Sequence, residues 1–239
     1  MDNGYYAAVT ALVGRMHALD ITAHNVANAN TTGFRAERQH FSSVLADAQG
    51  QEPFPFGVLA GTNVDLTQGS IEKTGNELDL AIEGGGFFAV KTANGTRYTR
   101  DGSFHLDRQG TLVDAKNEPV LSDTGAEIKL PTGKVTVNSD GTVAVDDAVA
   151  GKLAVLSCDS SEALTPAGDN QFAAAATHMK TATQFAVQQG ALEGSNITPV
   201  EGAVQLIQLQ RHAEMMDKVV QIFNSDFNRT AIEQVARTS

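Results

Sequence analysis

Several stretches of the 239-residue chain carry residue types that could do chemistry. EGGGFF (83–88) places three glycines in a row, whose N–H groups could cradle a phosphate. It lacks the Walker lysine and the G-x-G-x-x-G spacing, and it leads into a strand rather than a helix, so it reads as a tight turn or bulge. DGSFHLDRQG (101–110) offers paired aspartates and glycines, but not the D-x-[DN]-x-[DN]-G order of a calcium loop, and reads as two β-turns. His17, His24, His40, His105, His178 and His212 are scattered, with no H-x₃-H pair and none beside the lone Cys158, so no zinc site is expected. A single cysteine forms no intramolecular disulfide, and Cys158 reads as a small buried hydrophobe in a strand. There is no G-x-S-x-G elbow, and Asp146-Asp147 reads as a solvated turn. No catalytic residue, cofactor or metal is expected, and the chain is not read as an enzyme.

Charge narrows the partners. The net charge of −11 and pI near 4.9 argue against nucleic acid and against an anionic membrane surface. No apolar run is long enough to span a bilayer, so no membrane insertion is expected. Residues 1–40 carry three basic and three acidic side chains, and 200–239 carry four and five, so most of the negative charge lies between them. Near-neutral ends around an acidic centre suggest ends that pack against something and a centre that stays in solvent. The first twenty residues lack a basic n-region and a continuous apolar core, so no secretory signal is visible. Composition alone would therefore give a cytosolic protein.

The elements that would position any site are written in the apolar spacing. Tyr5, Val9, Leu12, Met16, Leu19, Ala23 and Val26 step by 4, 3, 4, 3, 4, 3, a seam of period 3.5 that suits a helix packed lengthwise against another. Leu206, Leu209, Ala213, Met216, Val220, Phe223, Phe227 and Thr230 repeat the pattern at the other end. Thr198-Pro199-Val200-Glu201 marks that helix's start, with an N-cap Thr, Pro at the first helical position and Glu at the third. One such seam does not offset the backbone entropy of ordering its helix, and even the pair buried on a single seam is marginal, so stable order calls for further helices from other molecules.

Between the two helices the period falls to two. GFFAVKTANGTRYTR (86–100) reads as a hairpin turning at Asn94-Gly95. Phe104 and Leu106, Leu112 and Val113, Val135 and Val137, Val143 and Val145, and Leu153 and Val155 continue as short strands. DNQFAAAATHMK (169–180) reads as a loop or a short helical turn. The expected fold is α+β: N- and C-terminal helices pairing as a coiled coil, with a central, mostly antiparallel β domain. Its expected parts are an N-terminal helix and signature turn (1–40), an irregular linker (41–66), the β domain (67–190), and a C-terminal return segment and helix (191–239).

Near the end of the first helix, Asn25, Asn28 and Asn30 crowd into six positions, although asparagine is a mediocre helix former. Two readings stand side by side: a polar helix terminus, or amides bonding across packed neighbours to fix register. Asn30-Thr31-Thr32-Gly33-Phe34 reads as the helix end, with Gly33 as the left-handed C′ residue and Phe34 folding back.

At these residues the chain resembles a known family, the bacterial flagellar rod and hook proteins. ALDITAHNVANANTTGFRAER (18–38) is similar to that family's N-terminal signature, here Asn25, Asn28, Asn30, Thr31, Gly33 and Phe34. QGSIEKTGNELDLAIEGGGFFAV (68–90) and YTRDGSFHLDRQGTLVDAKNEPVL (98–121) resemble its central β segment. QGALEGSNITPVEGAVQLIQLQRHAEMMDKVVQ (189–221), with Asn196, resembles its C-terminal signature. The departures are small: Ala29 where many members have Val, and His24 where a second Asn is common. Short length and the MDNGYYAAVTAL start are most similar to proximal-rod members, with distal-rod or other axial members the alternative.

The resemblance implies a structural subunit whose terminal helices form an inner coiled coil, stacked with neighbours into a tube that transmits torque and continues the export channel. The assembly seam would be Val9, Leu12, Met16, Leu19, Val26, Leu206, Leu209, Met216, Val220, Phe223 and Phe227. Its partners would be other rod and hook–basal body proteins and further copies of itself, with no small-molecule substrate. It also implies export without a cleaved signal and assembly in the periplasmic rod of the basal body, which replaces the cytosolic expectation. The competing class is a β-rich extracytoplasmic binding module or adhesin dimerised by its helices. A peptidoglycan hydrolase ranks third, with no acidic or zinc signature to support it.

Overall fold

The computed structural model describes residues 2–43 and 57–238, with side-chain environments for 9–40, 61–223 and 225. The chain divides into two compact units. One gathers Met1–Val26, Arg38–Thr62 and Pro199–Ser239; the other takes Ala27–Glu37 and Asn63–Thr198.

The first unit holds the two helices, α1 (Asp2–Ala27) and α2 (Pro199–Thr238). Helix α2 begins at Pro199, with Glu201 in its first turn, as the N-terminal signal predicts. A two-stranded sheet joins β1 (Glu37–Ser43) to β2 (Gly57–Val64). The irregular linker expected over 41–66 is corrected at both ends by these strands. ERQHFSS is mostly polar and GVLAGTNV is interrupted by glycine, so neither shows the alternation that flags a strand. The Pro-bearing stretch at 49–56 lies outside the described residues.

The second unit is the β domain, and its pairings are antiparallel. Short strands β3 (Ile71–Lys73) and β4 (Leu80–Gly84) open it. Its centre is the hairpin of β5 (Phe87–Thr92) and β6 (Gly95–Thr99). The turn sits one residue earlier than expected: Thr92 faces Gly95 across Ala93-Asn94, and of the predicted pair only Gly95 has positive φ, at 103°. The Thr92 hydroxyl donates to the Gly95 carbonyl at 2.8 Å and fixes that register. Strands β7 (His105–Leu106) and β8 (Leu112–Val113) form a small ladder. Strands β9 (Val135–Val137), β10 (Thr142–Val145) and β11 (Ala148–Lys152) form a three-stranded sheet. There Asp146 and Asp147, at φ 48° and 66°, make the two-residue turn that suits a hairpin's twist.

Strand β12 (Val155–Cys158) pairs with β5, and β13 (Thr165–Pro166), β14 (Gln171–Ala173) and β15 (Met179–Thr181) complete a six-stranded sheet in the order β13-β14-β6-β5-β12-β15. The stretch 169–180 thus contributes strand at both ends, with a single 3₁₀ turn at Ala176–His178 between them. Strands β16 (Phe185–Gln189) and β17 (Ala191–Glu193) return to β4 and β3.

β5 shows why Phe87 to Val90 are all apolar. Phe88 and Val90 enter a core with Leu80, Ile82, Phe104, Val143 and Val155, while Phe87 and Ala89 enter a second with Tyr98, Leu164 and Phe172. A strand buried on both faces loses the usual alternation. Edge-to-face aromatic pairs mark each side: Phe88 against Phe104 at 5.1 Å, and Phe87 against Phe172 at 5.7 Å. Cys158 is half-buried rather than buried, because it ends β12 at the margin of the second core, where its thiol donates to the Ser160 carbonyl.

Candidate functional site

The residues that could have done chemistry are dispersed. All six histidines are exposed, and no group of three His, Cys, Asp or Glu suited to a metal occurs among the described residues. The EGGGFF glycines form the turn between β4 and β5, with Gly84 and Gly86 at positive φ.

On α1, Val9, Leu12, Leu19 and Val26 are half-buried, whereas Met16 is 57% exposed. On α2, Leu206, Leu209, Ala213, Met216 and Val220 are half-buried, and every other residue from 203 to 222 is exposed. Phe223 is exposed, and the side chain of Phe227 lies outside the described residues. A second set of apolar residues, Val200, Val204, Ile207, Met215 and Ile222, is open to solvent on the other face of α2, with Arg211 and Lys218 at the stripe positions between them. No described helix is long and apolar enough to cross a membrane.

The signature residues divide. Asn25 is buried, Asn28 half-buried and Asn30 exposed. Thr31 caps the helix-ending turn, its N–H and hydroxyl reaching the Asn28 carbonyl at 3.0 Å and the Asn28 side-chain oxygen at 3.2 Å. Gly33 is left-handed, at φ 68°, but it is not the C′ residue of α1, which ends six positions earlier at Ala27. It belongs to a separate turn closed by the Phe34 N–H on the Thr31 carbonyl. A Cβ there would lie 2.3 Å from the Asp101 backbone nitrogen, so the turn also needs glycine for space.

That turn aims Arg35 into the β unit, where spacing alone gave no hint of a site. The Arg35 guanidinium donates to Glu193 Oε1 at 2.6 Å, and Arg100 donates to Glu193 Oε2 at 3.0 Å. The side chains of Arg35 and Glu193 are fully buried and that of Arg100 nearly so. The Gly69 N–H adds a third bond to the carboxylate, on Oε1 at 2.9 Å, while the Glu193 carbonyl accepts the Gly33 N–H at 2.7 Å. Arg100 also donates to the carbonyls of Ile82 and Gly84 and lies over the Phe87 ring. Burial pulls the Arg100 pKa down to about 10, opposed by the Glu193 carboxylate and reinforced by Arg35. Arg100 is therefore a cation at neutral pH.

Asn196 binds the same two segments together. Its amide oxygen accepts the Ala36 N–H at 2.8 Å, and its amide nitrogen donates to the carbonyls of Asp65 and Thr67, each at 3.1 Å. Asn196→Ala is expected to cost the β unit about 2 kcal/mol, because it strands those backbone groups; urea melting followed by circular dichroism checks it. A loss under 0.5 kcal/mol would remove Asn196 from the junction.

Arg35, Arg100 and Glu193 went unseen in the sequence because their partners lie 158 and 93 residues apart. The faint signal was a lone charge inside an apolar or glycine-rich setting: FRA at 34–36 and ALEG at 191–194.

Bonds between buried polar groups hold the chain's entering and leaving segments on a β unit, with apolar-striped helices beyond both. This arrangement defines a scaffold subunit. Three family models match the same regions: "Flagella basal body rod protein" over 6–35, "Flagellar hook protein FlgE/F/G D1 domain" over 81–145, and "Flagellar basal body rod FlgEFG protein C-terminal" over 188–231. The chain is 35% identical to the flagellar basal-body rod protein FlgF of Caulobacter vibrioides, over 99% of both chains. It is 34% identical to FlgF of Mesorhizobium japonicum over 90% of both, and 30% identical to the rod protein FlgG of Bacillus subtilis over 90% of this chain and 92% of that one. The chain belongs to the flagellar basal-body rod protein family, as a structural rod subunit.

Proposed function

We propose that the chain is a proximal-rod subunit whose terminal helices pair along their seams and stack with those of neighbouring rod proteins into the wall of the export channel. The observation that carries this reading is that α2 is apolar on two sides. Its half-buried seam at 206, 209, 213, 216 and 220 lies roughly opposite the exposed apolar residues Val200, Val204, Ile207, Met215 and Ile222, which Arg211 and Lys218 interrupt. A helix apolar on more than one face is stable only when flanked on more than one side, as an interior helix of a tube is. The subunit acts by packing rather than by turnover, with no nucleic acid, membrane insertion or small-molecule substrate in the role. It reaches the periplasm by the flagellum-specific export route and meets other rod and hook–basal body proteins there.

In dilute monomer, amides of 1–30 and 205–235 are expected to exchange rapidly while the β unit stays protected, measured by hydrogen exchange with mass spectrometry. Full protection of both helices in monomer would refute the reading. The likeness to FlgG chains keeps a distal-rod position as the second reading. Electron cryotomography of basal bodies carrying the tagged protein separates the two by where density appears along the rod.

A further inference from the structure

The two arginines that share Glu193 are held very unequally. Arg100 keeps three anchors besides the carboxylate: the Ile82 carbonyl at 3.1 Å, the Gly84 carbonyl at 2.7 Å and the Phe87 ring. Arg35 donates only to Glu193, and its buried Nε and Nη1 meet no partner among the described residues. Two cations on one anion leave a net positive charge in a buried place, and of the two only Arg35 has no acceptor besides the carboxylate, among the described residues, to hold it there.

The segment around Arg35 is hydrogen-bonded mainly to the return segment, and its Gly33 also lies against the Asp101 backbone. The Gly33 N–H reaches the Glu193 carbonyl, the Ala36 N–H reaches Asn196, and the Phe34 carbonyl accepts the Asn196 N–H at 3.4 Å. Farther out, the Thr32 carbonyl accepts from Asn170. Apart from the Ala36 carbonyl, which accepts the Asp65 N–H, these ties lead to residues 170–196.

We infer that Glu193 is a conditional clasp. Segment 31–36 docks on the β unit only when the return segment supplies the Glu193 charge, and loss of that charge releases Arg35 with its segment while Arg100 and the core stay in place. Neither chain exit is then fixed without the other. A chain that has not yet delivered residue 193 holds its N-terminal signature free of an otherwise nearly complete sheet.

The test is hydrogen exchange by mass spectrometry on full-length chains. Glu193→Gln keeps shape and removes charge. It should raise exchange of the Gly33, Ala36 and Asn196 amides about tenfold or more, with β4, β5 and β6 unchanged. Adding Arg35→Met to Glu193→Gln removes the stranded cation and should restore protection. Adding Arg100→Met should not, because Arg35 then remains the buried cation without an acceptor. Should Glu193→Gln alone fail to fold, the two double variants carry the same comparison. Protection of 33–36 unchanged in Glu193→Gln, loss spread evenly through β4 to β6, or rescue by Arg100→Met instead of Arg35→Met would each overturn the clasp.

Discussion

Leu209→Asp is expected to abolish rod assembly and swimming while leaving the melting of the β unit within about 0.5 kcal/mol of the parent chain. Leu209 is half-buried on α2, flanked by exposed Gln208 and Gln210, and it belongs to the helical unit rather than to the β unit. A carboxylate pressed into a helix seam loses hydration without gaining a partner, at a cost of several kcal/mol. Every copy in an assembly would bear that cost, so the effect on assembly should be close to all-or-none. Met16→Asp adds a contrast. Met16 is mostly exposed in the single chain, so the change should leave the monomer unaffected and appear only when subunits meet. Complementation of a non-motile strain, with calorimetry on purified variants, measures both. Normal swimming with Leu209→Asp would remove the seam from the assembly.

Gly102→Ala should be the most damaging single methyl in the β unit. A Cβ at 102 would fall 1.7 Å from the Leu80 carbonyl oxygen and 2.7 Å from its carbon, both backbone atoms with no rotamer to yield. The same two residues are joined by the Leu80 N–H on the Gly102 carbonyl at 3.0 Å, so relief of the clash breaks that bond. Leu80 and its neighbours Ile82 and Phe88 are core residues, which carries the shift inward. The loss should be about 3 kcal/mol or more, lowering the melting temperature by on the order of 10 °C. Gly85→Ala is the control: nothing lies within 4 Å of its Cβ and its φ is ordinary, so it should be neutral or slightly stabilising. Equal melting of Gly102→Ala and Gly85→Ala would refute the packing argument.

The two predictions also mark how far the sequence could be read. Periods of 3.5 and 2 separated helix from strand, and Thr198-Pro199 located the start of α2 to the residue, because those signals are local. Strand β1 escaped because a mostly polar strand leaves no alternation, and the β5–β6 turn slipped by one because Ala93-Asn94 carries no glycine of its own. Gly33 was read correctly as left-handed but given to the wrong turn, since a positive φ does not reveal which carbonyl it serves. The junction of Arg35, Arg100 and Glu193 was illegible for a deeper reason. Nothing in a lone charge states its partner when the chain must travel 158 residues to deliver it.

The bond from Asn196 to Phe34 makes the β unit a loop on a closed neck, its way in and its way out side by side. Material added or removed beyond such a neck does not alter the spacing of the two chain segments that meet at it. The exposed Asp146-Asp147 corner is therefore a place where a foreign peptide should graft without disturbing either helix. The distance between the two exits is thus set at the Asn196–Phe34 bond and not by the length of chain that lies between them.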